Sequence, residues 1–371
     1  MQNQPDPIAP LPTAERLTTI PVLTALGDAR AALAELRGLV QGFTSADILL
    51  DPLSLVESQA SSRIENIAAD LNEVLRAAAL AEGVSPAARE VVRHRDAMMF
   101  GHEDGRRRGG ISESAIIGMF RILKQRGDGY RTAPGTRLVN SATGQVVYEP
   151  PQDPWQVEQL MRELEAFINA ETHDEMHPLI RMALIHHRFE SIHPFPDGNG
   201  RIGRILNALY LTHADLLDAP ILCLSRIIHL TRRDYYRLLQ TVRTEDAWEE
   251  WVIYMLHAVT HAAHLMLEMV QETRTLMLET EQRLREQLPK IYSQELLDNL
   301  FRHPCTRIEL LAKDTSRDVQ IARRHLKRLT EKGFVTEVKH GRSNCYINQP
   351  LVELLKGVSV DDTRHKYVQV S

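Results

Sequence analysis

The residues best suited to chemistry lie close together, in the stretch HHRFESIHPFPDGNGRIGRILNALYL at 186–211. His193 carries a side chain that titrates near neutrality and can take a proton from a hydroxyl. Asp197 is the sole carboxylate in the loop that follows, and a hard oxygen donor there suits Mg²⁺ bridging phosphate oxygens. Gly198, Asn199 and Gly200 fall where a helix begins. Free backbone N–H groups, the positive end of a helix dipole and the missing Cβ atoms make that an anion nest. Arg201 and Arg204, three apart on the first turn, can point at the same phosphates. A base, a metal ligand, an anion nest and two arginines within twelve residues amount to a site for phosphoryl or nucleotidyl transfer. A Pro/Gly turn with solvated charges would account for Gly-Asn-Gly alone, but not for all these groups together.

Two helices must hold this loop. Leu179, Ile180, Ala183 and Leu184 give the preceding helix an apolar face, and Pro194 and Pro196 end it. Ile202, Ile205, Leu206, Leu209 and Tyr210 start the following helix at the expected spacing. Helical periodicity runs through most of the chain, from Ala25 to Leu80 and from Trp155 to about Leu288. The polar stretch GHEDGRRRGG at 101–110 reads as a solvated, glycine-bounded connection. A turn-prone segment within 130–151 predicts a small hairpin. After Pro289 a basic helix near Val319–Lys332 and two short β-type runs, joined by KHGRSN, predict a winged helix-turn-helix. The fold class is mainly α, with two small hairpins.

The 371 residues carry a net charge of −5, so the chain as a whole does not attract nucleic acid or anionic membrane. Three scattered cysteines suggest no disulfide framework. There is no secretory pattern at the start and no apolar run long enough to span a bilayer, so a cytoplasmic protein is expected. His257, His261 and His264 stand at helix spacing without an accompanying carboxylate, and read as surface or core residues.

HPFPDGNGRIGR resembles the signature of the Fic (Fic/Doc) family, His-x-Phe-x-Asp/Glu-Gly-Asn-Gly-Arg-x-x-Arg, at every fixed position. The resemblance spans about residues 50–260. It implies a protein adenylyltransferase, a nucleotidyltransferase that moves AMP from ATP to a Tyr, Ser or Thr hydroxyl of a protein, itself included. It casts His193 as base and Asp197 as Mg²⁺ ligand. The ATP-binding run is Gly198, Asn199, Gly200, Arg201, Ile202, Gly203 and Arg204. Phe195 would anchor the loop, and glycine at 200, where relatives that transfer the γ-phosphate carry lysine, favours AMP transfer. SSRIENI resembles the family's inhibitory motif, with Ser61 and Glu65 on one helix face and Glu65 pairing with Arg204. The hairpin stands where relatives keep a flap that docks the target segment. Tyr236 is the better candidate to stack on adenine, with Tyr235 the other, and Arg243 stands where relatives place an Asn.

The implied domains are an N-terminal helical region with the inhibitory helix (1–110), a Fic catalytic core (111–288) and a winged helix-turn-helix (289–371). Two other readings stand beside AMP transfer: removal of AMP at the same site, and a DNA-binding regulator whose core senses nucleotide. In the basic helix Arg323, Arg324, Lys327 and Arg328 are the candidate DNA contacts, with Arg342 in the wing. Packing on the core or presenting a protein partner is the preferred role of that module. A homodimer is one assembly that the apolar-striped helices allow. No chemical group lies beyond Pro289, so the last domain is expected to be dispensable for chemistry.

Overall fold

A computed structural model describes residues 8, 10–43, 45–80, 84–139, 143–171, 176–340 and 343–358. It is mainly helical, with two small antiparallel sheets, as the periodicity predicts. α1 (Ile20–Val40) runs along α11 (Trp248–Gln287), a single helix of 40 residues. Among the described residues no helix is long and apolar enough to cross a membrane.

α2 (Asp47–Ile64) is buried almost all round, its polar residues included. Most of those have a partner, as burial demands; the Ser62 hydroxyl has none among the described residues. Ser58 Oγ lies 2.8 Å from His94 Nδ1 of α4 (Pro86–Arg108), and Gln59 donates to the Ala69 carbonyl at 2.9 Å. The Glu57 carboxylate accepts from the Ser225 N–H at 3.0 Å and from its hydroxyl, on α9 (Leu224–Leu230). The helical pattern expected from Ala25 to Leu80 forms as three helices, with a break after α2. Glu65 caps the C-terminus of α2, Asn66 turns into the left-handed region (φ 60°), and α3 (Leu71–Ala79) starts afresh on an Asp70 cap. One expectation fails, because 101–108 continue α4, which ends on left-handed Gly109. Gly101 of that stretch serves packing. A Cβ on Gly101 would lie 2.5 Å from Met119 Sδ and 2.6 Å from Leu209 Cδ1, so α4 comes close to α5 (Glu113–Lys124) and α8 (Asn199–His213) only because none is there.

The predicted hairpin forms from β1 (Leu138–Val139) and β2 (Val146–Tyr148), with Leu138 opposite Tyr148; most of its turn, 140–142, lies outside the described residues. α6 (Pro154–Asn169) packs on α7 (Pro178–Ile192), which packs in turn on α8; α10 (Arg232–Glu245) lies against α11. The C-terminal unit comprises α12 (Gln294–Arg302), β3 (Cys305–Thr306), α13 (Ile308–Asp314), α14 (Val319–Glu331), β4 (Thr336–His340), β5 (Ser343–Ile347) and α15 (Gln349–Val358). Its sheet has the order β3-β5-β4, so the expected hairpin gains a third strand and a closing helix. Arg342 falls outside the described residues. Cys305 and Cys345 meet across this sheet as a disulfide pair with Cα atoms 5.9 Å apart, a pairing their wide spacing did not suggest. The unit does not stand apart, because α12 and α15 both pack on α2 and α15 also on α11.

Candidate active site

α7 ends at His193, which sits in the left-handed region (φ 49°) and donates its N–H to the Phe189 carbonyl at 2.9 Å. Pro194 then prevents any continuation. Phe195 is fully buried and stacks on Phe120 with ring centroids 4.2 Å apart, which anchors the loop as expected. Asn199 holds the loop's shape: its side chain accepts from the Phe195 N–H at 2.8 Å and donates to the Phe195 carbonyl at 2.7 Å. Only its backbone N–H is left for a ligand. Gly198 takes φ 82° at the start of α8, and a Cβ there would press on Leu123 at 3.3 Å. The first bond of the helix runs from the Ile202 N–H to the Gly198 carbonyl, leaving the N–H groups of Asn199, Gly200 and Arg201 without intrahelical partners.

Two residues of the run face elsewhere. The Ile202 side chain is wholly in the core and its N–H is already bonded. Gly203 turns towards α7: its carbonyl lies 3.2 Å from His186 Nδ1, and a Cβ would meet Glu190 Oε1 at 2.5 Å. Gly203 is a close-packing glycine, and neither residue touches the anion nest with its side.

Burial, with the cations Arg243 and Arg131 nearby, lowers His193 to about 4, against a weaker upward pull from the Glu190 carbonyl. The imidazole is therefore neutral at physiological pH, the state a base requires. Arg131 is a residue that sequence reasoning missed. Its buried guanidinium donates to the carbonyls of His193 (2.9 Å), Ile192 (3.4 Å) and Pro151, and its N–H to that of Pro194 (2.8 Å). It thus ties the C-terminus of α7 to the end of the hairpin. Arg243 does similar work, lying 4.0 Å over the Tyr148 ring and donating to Ser191 Oγ at 3.2 Å. Tyr148 OH donates to the Ser191 carbonyl at 3.0 Å.

The arginines do not share a target here. Arg204 is buried, and its Nε donates to Ser61 Oγ and its Nη2 to the Ser61 carbonyl, both at 2.9 Å. Nη2 also donates to Glu65 Oε1 at 2.8 Å. Burial works against the charge of Arg204, yet Glu65 and the neighbouring tyrosines hold its pKa above the ordinary value. A Cβ on Gly200 would stand 2.4 Å from Glu65 Oε1, so the carboxylate occupies the space over the start of α8. Arg201 instead donates to Glu90 Oε1 of α4 at 2.5 Å, and Lys124 Nζ lies 3.6 Å from the same oxygen. Lys124 also grips Asp197 Oδ2 at 2.5 Å. Although partial burial disfavours the charge, that lysine keeps the Asp197 pKa below its usual value, so the carboxylate is ionised at neutral pH. Among the described residues no three His, Cys, Asp or Glu side chains gather as a metal site. A single carboxylate suits Mg²⁺ only where phosphate oxygens complete the shell, and Asp197 stands beside the helix N-terminus that would bind them.

The two tyrosines separate. Tyr235 is 1% exposed, its OH 2.8 Å from His186 Nε2, in a ring cluster with Trp251 and Tyr254. Tyr236 is 44% exposed, with Arg232 5.6 Å from its ring centroid and the Glu65 and Arg204 charges near enough to bear on its pKa. Of the two, only Tyr236 is exposed.

Comparison with known proteins agrees with this geometry. Residues 23–103 match the Fic/DOC family N-terminal model and residues 110–211 the Fic/DOC family model, which contains the whole loop. Residues 276–351 match the C-terminal domain of SoFic-like protein adenylyltransferases. The chain belongs to the Fic/DOC family. Relatives named protein adenylyltransferase Fic include one from Drosophila willistoni, 28% identical over 149 residues, and one from Culex quinquefasciatus, 35% identical over 96. Those matches span 39% and 26% of this chain, and only 28% and 18% of the relatives. A Fic family protein from Desulfovibrio desulfuricans shares the fold at TM-score 0.52 and 20% identity, over 87% of this chain and 95% of that one. A Fic domain protein from Bacteroides thetaiotaomicron does so at 0.53 and 18%, over 66% and 97%.

Proposed function

We propose that this Fic chain is a Mg²⁺- and ATP-dependent protein adenylyltransferase that Glu65 holds inhibited. The observation that carries the reading is the Glu65 carboxylate seated on Arg204 and against Gly200, at the start of α8. That place attracts anions, and a guanidinium in a partly desolvated site satisfies only one of them in good geometry. In the transfer, the acceptor hydroxyl oxygen bonds to the α-phosphorus of ATP while the bond to the bridging oxygen breaks. Pyrophosphate leaves and the hydroxyl proton passes to His193. The unpaired N–H groups of Gly200 and Arg201 would bind phosphate oxygens, and Arg204, once released, would orient the leaving end. Asp197 would hold Mg²⁺, which neutralises charge developing on the triphosphate. Tyr236 would stack on adenine, and the acceptor would be a Tyr, Ser or Thr hydroxyl of another protein or of the chain itself.

The position of Glu65 also favours a second reaction at the same site. The carboxylate is one-third exposed at the mouth of the nest, where it could orient a water towards AMP already attached to a protein. Incubation with α-labelled ATP, Mg²⁺ and cell lysate tests both. The Glu65→Gly chain should label protein strongly and the parent weakly. Equal labelling by the two would remove Glu65 from the regulatory role, and release of AMP from pre-labelled protein by the parent alone would establish the second reaction.

A further inference from the structure

We propose that α14 is a duplex-DNA-binding surface, a property separate from the chemistry at His193. Charge is divided along this chain. Residues 293–356 hold twelve Lys or Arg against eight Asp or Glu, although the chain as a whole is negative at −5. The excess is concentrated on α14, where Arg323, Arg324, Lys327 and Arg328 are all exposed. Their spacing places Arg323 and Lys327 in one row and Arg324 and Arg328 in the next, so a single face is cationic. Lys327 lies 3.9 Å from Glu331, and among the described residues the three arginines have no ion pair.

The packing leaves this face free. The unit meets the rest of the chain chiefly through α12, α15 and β3, with Arg283 of α11 also over Phe334 just after α14, whereas α14 packs on α13 and keeps its four cations exposed. α14 is also the second helix of a helix–turn–helix, the one that such modules lay in the major groove with its N-terminal residues against base edges. At that N-terminus Val319 is 43% exposed beside exposed Gln320, and Asp318 is turned back to cap the helix at 2.7 Å from the Gln320 N–H. An apolar side chain that can meet a thymine methyl and an amide that can pair with adenine thus precede the phosphate-binding cations. An acidic protein surface would use the cations but has no call on that order, so duplex DNA is the better fit.

The test uses the full chain without ATP and a labelled mixed-sequence duplex of about 30 base pairs, followed by fluorescence anisotropy from about 50 mM salt upward. Binding should fall steeply with salt. Arg324→Ala with Arg328→Ala should weaken it about tenfold or more and lower the salt slope by about two, one for each lost phosphate contact. Both side chains are exposed, so unchanged melting should show that the variant folds; Arg323→Glu gives the same test if it does not. Absence of binding at the lowest salt overturns the proposal, as does unchanged binding by a folded variant. Displacement of the duplex by polyglutamate at equal charge would also overturn it, in favour of an acidic protein partner.

Discussion

At the scale of the residue, proton transfer depends on where His193 is charged. An ordinary imidazole would be half-protonated at about pH 6.5. Burial and two arginines move this one to about 4. A general base works unprotonated, so lowering its pKa moves the acid limb of the rate profile downward, and the base form persists at pH 5. AMP transfer by the Glu65→Gly chain should therefore lose little from His193 titration between pH 7.5 and pH 5.5. A tenfold fall across that interval, not traced to ATP or Mg²⁺ binding, would mean that the imidazole titrates normally. His193→Ala should slow transfer by about 10²–10⁴-fold while ATP still binds, because the anion nest does not use the ring.

Asp197 makes a second residue-scale prediction, through its neighbour Lys124. The lysine holds Asp197 Oδ2 at 2.5 Å, so an incoming Mg²⁺ competes with an ammonium group for that carboxylate. Lys124→Gln should lower the Mg²⁺ concentration needed for half-maximal transfer by several-fold, whereas Asp197→Ala should remove most activity, little of it restored by excess Mg²⁺. An unchanged Mg²⁺ titration in Lys124→Gln would show that the pair opens at no cost. The residues of this loop were legible in sequence because they are contiguous, and local geometry brings them together. Glu90, Lys124 and Arg131 were not legible. They reach the loop from α4, α5 and the segment before the hairpin, and no local spacing marks an arginine whose partners are backbone carbonyls some sixty residues away.

At the scale of the element, α2 shows what periodicity alone leaves open, the point at which a helix stops. Apolar residues at 64, 67, 71, 74 and 75 fit one helical stripe, yet Asn66 adopts a left-handed conformation and the helix stops. Glu65, at the C-cap of α2, lies over Gly200, and the left-handed turn at Asn66 redirects the chain beyond it. Glu57, Ser58 and Gln59 are polar in sequence, yet each is buried and bonded to another segment of the chain. Local pattern cannot distinguish a solvated hydroxyl from one bonded to a helix distant in sequence. On the proposed inhibition by Glu65, the same element allows charge and bulk to be separated at the Glu65–Arg204 contact. Glu65→Gln keeps the side chain near Gly200 but removes the anion, so it should relieve inhibition partly, and Glu65→Gly more fully. Arg204→Ala, alone or with Glu65→Gly, should be inactive, because the guanidinium is the group that carboxylate and triphosphate contend for. Full activity in that double variant would assign the triphosphate another partner.

At the scale of the whole molecule, the C-terminal unit supplies no proposed catalytic group but packs on the helix that carries Glu65. α12 and α15 pack on α2, and His303 lies 3.7 Å from Asp51 of α2 and 3.1 Å from Asp314 of α13. The expectation of dispensability was drawn from where the chemical groups lie; the packing adds that this unit contacts α2. Ser61 and Glu65 hold Arg204 at one end of α2, and we expect the contacts of α12 and α15, with His303 beside Asp51, to steady the rest of it. Cutting the chain after residue 288 bares apolar surface on α2 and α11, at roughly 25 cal/mol for each Å² returned to water. The fragment should therefore melt at a lower temperature than the full chain. Its α2 should also release Glu65 more often, so that self-modification by the fragment rises towards that of the full-length Glu65→Gly chain. Adding Glu65→Gly to the fragment should then raise its rate by a smaller factor than in the full chain. That comparison is internal to the folded fraction, because both fragment rates come from the same truncated scaffold and instability cancels in their ratio. If Glu65→Gly raises transfer by the same factor with and without residues 289–371, α2 holds its position unaided and the C-terminal unit has no part in the inhibition.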